Sequence, residues 1–179
     1  MKKLKTKPFG EIEVDESQEI TFSEGLFGFE QYKKFYLLEN PDSPFLWLQS
    51  SEEPSLAFIL IDPLQFKADY KLEISEEDYK SIEIEDKEKD LLDFVIVTVP
   101  REPQKMTANL QGPIIINIKK KLGKQAISLR EDYTVRCPIL EENEKNNGKK
   151  EYSKRNQEKE REIDACFSKE NKSKYYYTR

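Results

Sequence analysis

Ala57-Phe58-Ile59-Leu60-Ile61, closed by Asp62-Pro63, is the stretch that decides the fold. Its apolar run is unbroken, too short for an ordinary helix and rich in residues that favour extended backbone, so it predicts a strand buried on both faces. Phe94-Val95-Ile96-Val97-Thr98-Val99, stopped by Pro100, predicts a second strand of the same kind. On the N-terminal side, Ile12 and Val14 alternate with Glu11, Glu13 and Asp15, the period-2 mark of a half-buried strand, and Ile20 and Phe22 repeat it. Phe35-Tyr36-Leu37-Leu38 and Phe45-Leu46-Trp47-Leu48-Gln49-Ser50 read as strands on either side of Asn40-Pro41-Asp42, and Tyr70 to Ile74 as a weaker one. Ser75-Glu76-Glu77-Asp78 fits a helix start, with a capping serine and acids at the positive end of the dipole, and the helix is short, ending near Ile82.

Further along, Pro113 leads Ile114-Ile115-Ile116-Asn117-Ile118, Lys119 to Lys124 reads as a glycine-bearing connection, and Gln125-Ala126-Ile127-Ser128-Leu129 as the returning strand of a hairpin. Tyr133 to Arg136 reads as a last short strand. About eight to ten short strands with one or two short helices predict a mostly β fold. A small antiparallel β-barrel is the expectation, since closure removes exposed edges; a two-sheet sandwich is the alternative that periodicity does not separate from it.

The chain has 179 residues, 36% hydrophobic and 36% charged, enough for one modest core. Its charges divide unevenly. Residues 141–179 hold 11 Lys+Arg and 9 Asp+Glu, leaving 19 and 26 for residues 1–140, a net of −7. The expected domain is therefore 1–140, followed by a charged extension over 141–179, flexible or partly helical around 156–167. The acidic domain repels phosphate and excludes direct nucleic-acid binding as an expected role, while suiting a basic protein partner or plain solubility. The N-terminal Met1 to Lys7 is basic, but Pro8-Phe9-Gly10 follows where a signal peptide needs an apolar stretch, and no run reaches the roughly 18–20 apolar residues of a membrane helix. The expectation is a cytoplasmic monomer without membrane contact.

Histidine is absent, and the two cysteines are Cys137 and Cys166. That composition rules out Ser/His/Asp and Cys/His catalysis and supplies no cluster with metal-ligand spacing. Acids are plentiful, so a carboxylate-based hydrolase stays open as an alternative, as does a barrel that encloses a small ligand. Asp62 is explained by its Asp-Pro turn. No catalytic residue, metal or cofactor is expected. The candidates for partner binding lie mainly in Ser23-Glu24-Gly25-Leu26-Phe27-Gly28-Phe29, whose aromatics either face a partner or plug one end of the barrel. Phe22, Leu26, Phe27 and Phe29 are the first choices, with Leu48, Asn109 and Ile115 second. The amides of Asn109-Leu110-Gln111-Gly112 bond either a neighbouring loop or an incoming peptide. Tyr175-Tyr176-Tyr177 is a further aromatic run in the extension.

Six pieces in order resemble one known family: Ile20-Thr21-Phe22-Ser23-Glu24-Gly25-Leu26-Phe27-Gly28-Phe29-Glu30; Phe45 to Ser50; Leu56-Ala57-Phe58 with Asp62-Pro63; Val97-Thr98-Val99-Pro100; Thr107 to Ile114; and Gly123-Lys124-Gln125. Over about residues 9–138 the chain is similar to the flagellar assembly factor FliW family. Phe27 stands where that pattern leads us to expect proline, and Gln111 where a small residue is expected. The resemblance implies a β-barrel without enzymatic activity that binds cytoplasmic flagellin. It also implies that the flagellin-free factor captures CsrA, a small RNA-binding repressor of flagellin translation, and so couples flagellin synthesis to export.

Overall fold

The computed structural model describes residues 1–39 and 43–140. The expected extension, with its helix around 156–167, Cys166 and Tyr175-Tyr176-Tyr177, lies outside the described residues. In chain order the strands are β1 (Lys2–Thr6), β2 (Gly10–Val14), β3 (Ile20–Phe22), β4 (Lys34–Glu39), β5 (Phe45–Ser50), β6 (Ala57–Ile61), β7 (Leu91–Thr98), β8 (Thr107–Ala108), β9 (Ile114–Asn117), β10 (Leu122–Gln125) and β11 (Cys137–Pro138). Seven of them close into a barrel in the order β3-β4-β5-β6-β7-β9-β10, with β10 returning to β3. Every neighbouring pair is antiparallel except β10 and β3, which run parallel with Leu122 opposite Thr21 and Gly123 opposite Phe22. The exception follows from counting: strand directions alternate around a closed ring only when their number is even, so a ring of seven holds one parallel pair.

The barrel is filled by its own side chains. Phe22, Phe35, Leu48, Leu60, Leu92, Phe94 and Ile114 are fully buried along its axis, joined by Ile20, Leu26, Leu37, Leu46 and Ile116. Alternate residues point outward, and three further clusters cover many of them. The β1–β2 hairpin lays Leu4 and Val14 on Tyr36 and Leu38. The short helix α1 (Glu76–Ser81) and its flanks bring Ile74, Tyr79 and Ile82 onto Ile115 and Ala126. Phe66, Tyr70, Tyr133 and Ile139 cover Ile61, Val95 and Val97. Both faces of the central strands are thus covered, which is why β6 and residues 94–97 of β7 read as unbroken apolar runs.

Local signals act as expected at two turns. Ser75 Oγ accepts from the Asp78 N–H at 3.1 Å and donates to its carboxylate at 2.8 Å, capping α1. Asp62 Oδ1 accepts from the Leu64 N–H at 2.9 Å and starts a 3-10 turn at Pro63.

Other expectations are corrected. Lys2–Thr6, read only as a basic N-terminal stretch, forms β1, with Leu4 and Thr6 turned inward, Lys2 half-buried on the same face and Lys3 and Lys5 outward. Tyr70 to Ile74 and Tyr133 to Arg136 form no strand. They are irregular covers over the barrel, and Tyr70 and Tyr133 stack with ring centroids 5.5 Å apart. The hairpin shifts too: Gly123 lies inside β10 rather than in the turn, where Lys121 takes a positive φ of 55°. Gly123 is needed in the strand because a side-chain carbon there would come within 2.7 Å of the Phe22 ring. Gly123→Ala is expected to lower the unfolding free energy by about 1–3 kcal/mol through this overpacking, read from the urea midpoint at unchanged slope.

Glu19 ties the β1–β2 hairpin to the barrel. Its carboxylate meets Lys2 at 3.1 Å and Lys34 at 3.2 Å and accepts from Ser51 Oγ at 3.0 Å. Burial pushes its pKa up, but the bonds from Lys2, Ser51 and Lys34 outweigh that and hold it below the ordinary carboxylate value. A depressed folded-state pKa stabilises the fold above the unfolded value of about 4.3 and loses that contribution as pH falls through the folded value. Glu19→Gln is expected to cost about 0.5–1 kcal/mol at pH 7, with the difference from the parent protein shrinking in urea melts as pH falls below the unfolded value.

Candidate functional site

One end of the barrel carries the connections leaving β3, β5 and β10 and those entering β4, β6 and β9. The chain leaves the interior at Phe22 and turns sharply. Gly25 takes φ +74°, and a side chain there would collide with the Glu30 backbone at 2.6 Å. Leu26 folds back inward, and the Phe29 N–H donates to the Leu26 carbonyl at 2.8 Å. Leu26-Phe27-Gly28-Phe29 is therefore a tight β-turn whose third residue, Gly28, has φ +82°, the type II requirement.

Phe27 stands at the second position of that turn, where proline is favoured. Proline has no N–H to offer. The Phe27 N–H donates to Gln125 Oε1 at 2.9 Å, and Gln125 Nε2 donates to the Gly112 carbonyl at 3.3 Å. Gly112 is itself shaped by Asn109, whose Oδ1 accepts from the Gly112 N–H at 2.9 Å. The buried side chain of Gln125 thus clips three sequence pieces together: the Gly25–Phe29 loop, the Asn109–Pro113 loop and β10.

The loop displays aromatic surface on a fixed support. Phe27 is 52% exposed and Phe29 37% exposed. Phe29 packs edge-on against Phe58 at 5.1 Å, Phe58 lies 6.3 Å from Phe35, and Phe35 packs edge-on against Phe22 at 5.3 Å. A chain of rings runs from the core to the surface, so the turn is held at both ends.

The nominated residues divide sharply. Phe27 and Phe29 reach the surface. Phe22, Leu26 and Leu48 lie inside the barrel, and Ile115 lies under α1, so these four are core and correct the expectation of a surface role: a side chain at 0–1% exposure offers a partner no area. Asn109 is half-buried and its carbonyl oxygen is used within the protein, which favours its structural reading. Gln125 was not nominated; its signal was a lone amide between a strand lysine and a small apolar residue. Beyond it the regular strand ends, short of the Gln125–Leu129 strand expected: Ala126 and Ser128 still donate to the carbonyls of Pro113 and Gln111, each at 2.9 Å, but the stretch is irregular and leaves Ile127 and Leu129 exposed.

Charge around this end is negative but paired. Lys124 sits between Glu24 at 2.9 Å and Asp78 at 3.2 Å, bonds that hold its ammonium above the ordinary lysine pKa. Arg130 lies between Asp132 at 2.8 Å and Glu73 at 2.9 Å. Among the described residues, no group of three acidic or thiol side chains is placed to hold a metal ion.

The fold and this end together define a closed seven-strand barrel, solid inside, whose irregular outer elements leave one aromatic turn uncovered. The chain belongs to the FliW family: a family model described as FliW protein matches residues 3–139. It is 52% identical over 140 residues to a flagellar assembly factor FliW of Leptospira interrogans, covering 77% of this chain and 93% of that one. It is 44% identical over 139 residues to that of Treponema denticola, covering 78% and 94%. A crystal structure of the flagellar assembly factor FliW superposes with a TM-score of 0.72 at 37% identity, over 77% of this chain and 96% of that one.

Gln125→Ala removes the acceptor of the Phe27 N–H and the donor to Gly112. It is expected to cost about 1–3 kcal/mol and to speed exchange of the Phe27 amide well beyond that of strand amides, measured by hydrogen exchange.

Proposed function

We propose that this protein is a flagellar assembly factor that works by binding other proteins. It holds newly made flagellin in the cytoplasm and, when free of flagellin, captures the translational repressor CsrA. Occupancy by the two is mutually exclusive, so the level of unexported flagellin sets how much repressor remains active, by mass action. Family membership carries this reading: the relatives bear that name over the whole of the barrel matched here.

Three features of the chain support it. The aromatic turn at Phe27 and Phe29 is exposed yet pinned by Gln125 and Phe58, so little ordering entropy is lost when a partner covers it. The net charge of −7 over residues 1–140 suits the basic surface that an RNA-binding repressor must present. The carboxyls of Glu11, Glu19, Asp69 and Asp132 are held below their ordinary values by the cations beside them. A hydrolase using paired carboxylates needs one pushed up to act as an acid. The filled axis of the barrel leaves the small-ligand alternative without support. No helix among the described residues is long and apolar enough to cross a membrane.

Phe27→Asp places a charge on the exposed turn while touching no core contact. It is expected to weaken the flagellin complex at least about tenfold, by titration calorimetry, with the melting midpoint within about 2 °C of the parent. An unchanged affinity would remove the turn from the binding surface; a collapsed melting midpoint would make Phe27 a core residue.

A further inference from the structure

The three covers of the barrel are not fastened alike. The cover around Tyr133 is joined backbone to backbone: the Leu110 N–H donates to the Thr134 carbonyl at 3.0 Å and the Ile139 N–H to the Met106 carbonyl at 3.2 Å. The α1 region is joined beside β9, where the Ile118 N–H donates to the Asp90 carbonyl at 2.9 Å and Asn117 Nδ2 to the Ile82 carbonyl at 2.8 Å. The strands β1 and β2 differ. They pair with each other and with no strand of the barrel, and the ring of seven closes without them.

Side chains fasten this hairpin at its two ends. At the tip, the Lys7 N–H donates to Gln49 Oε1 at 2.9 Å. At the base, Lys2 meets Glu19, which Lys34 and Ser51 hold to the barrel. Between these ties the contact is apolar, Leu4 and Val14 on Tyr36 and Leu38, with half-buried Trp47 beside them. Tyr36 lies opposite Gln49 and Leu38 opposite Trp47 in the β4–β5 pairing, so the four form one patch under the hairpin. The chain then passes to β3 through Glu16–Gln18, a 3-10 turn with no buried side chain. Lys121 holds the far end of that turn, donating to Gln18 Oε1 at 2.8 Å. The connection is a hinge with one end fixed to the barrel.

One group under the hairpin favours opening. Tyr36 is 2% exposed, and its hydroxyl has no hydrogen-bond partner among the described residues. The nearby Glu19 carboxylate turns its oxygens to Lys2, Lys34 and Ser51. A hydroxyl buried in this way loses its water and gains no bond in return, and lifting the hairpin gives the water back.

We propose that the β1–β2 hairpin is a hinged lid that lifts as one unit and bares Tyr36, Leu38, Trp47 and Gln49 while the seven-strand ring stays folded. Glu19 is its latch, and the Tyr36 hydroxyl works against the latch. A lifted two-stranded hairpin has no sheet to pack on, so it loses its own cross-strand bonds in the same event. The lid is a property of this chain alone and does not rest on the proposed partners.

The test is native-state amide hydrogen exchange of the full-length protein in urea below its unfolding transition. The Lys7 amide and the β1–β2 strand amides are expected to share one opening, at least about tenfold more frequent than the one that frees Leu60 and Phe94, with a urea dependence above zero and smaller than theirs. Tyr36→Phe removes the unpartnered hydroxyl and should make the lid opening at least about threefold rarer. Gly123→Ala weakens the ring, so it should speed Leu60 and Phe94 and leave the lid opening unchanged. Hairpin amides that follow Leu60 and Phe94 at every urea concentration, or that Gly123→Ala speeds equally, show one cooperative unit and overturn the lid. Exchange at Lys7 without urea dependence shows fraying of the tip alone and overturns it too. A more frequent opening in Tyr36→Phe means that the hydroxyl is bonded when the lid is shut, and overturns its part in the device.

Discussion

The Phe22 ring resting on Gly123 is the contact on which the molecule turns. It lies at the one parallel seam of the ring, where β10 meets β3, and it permits the two backbones to come within hydrogen-bonding distance while a full aromatic ring sits between them and the core. Packed interiors transmit such constraints because they have no slack. Two residues beyond Gly123, Gln125 reaches the backbone of Phe27, and three residues beyond Phe22, Gly25 begins the turn that Phe27 occupies. Closing the barrel and aiming the aromatic turn are therefore achieved by the same few residues.

Burial on two sides explains the rest of the architecture. A seven-strand barrel of this size is filled by inward side chains alone, yet the outward faces of β4, β6, β7 and β9 are apolar as well. They need covers, and the chain supplies three from different parts of its length: the β1–β2 hairpin, the α1 region, and the irregular stretches around Phe66 and Tyr133. Phe27, Ile127 and Leu129 at the end of the barrel are apolar residues that none of these covers reaches.

Much of this was legible in the residues. The apolar runs at Ala57–Ile61 and in Leu91–Thr98, the Asp62 turn, the Ser75 cap and the mostly β barrel all follow from short-range chemistry that acts within a few residues. The misreadings share a cause: each depends on a partner distant in the chain. Lys2–Thr6 alternates too weakly to announce a strand, since its inward face carries a lysine and a threonine beside Leu4. Gly123 resembled a turn glycine because the ring that requires it is about a hundred residues away. Ile115 could be placed on a strand but not under α1, and Leu48 and Phe22 could not be told from surface residues before the ring was closed. In the Ser23–Phe29 segment, plug and display were competing readings. The structure uses both, Leu26 inward and Phe27 outward, because a type II turn sends adjacent side chains in different directions.

The proposed switch between two partners requires that they exclude each other on the outside of the filled barrel. Size-exclusion chromatography with light scattering on the purified protein mixed with flagellin, with CsrA, and with both together tests this most directly. The account predicts a complex with each partner alone and, in the three-component mixture, two separate binary complexes whose ratio follows the flagellin added. A single species containing all three proteins, or a protein that elutes apart from both partners, would contradict it.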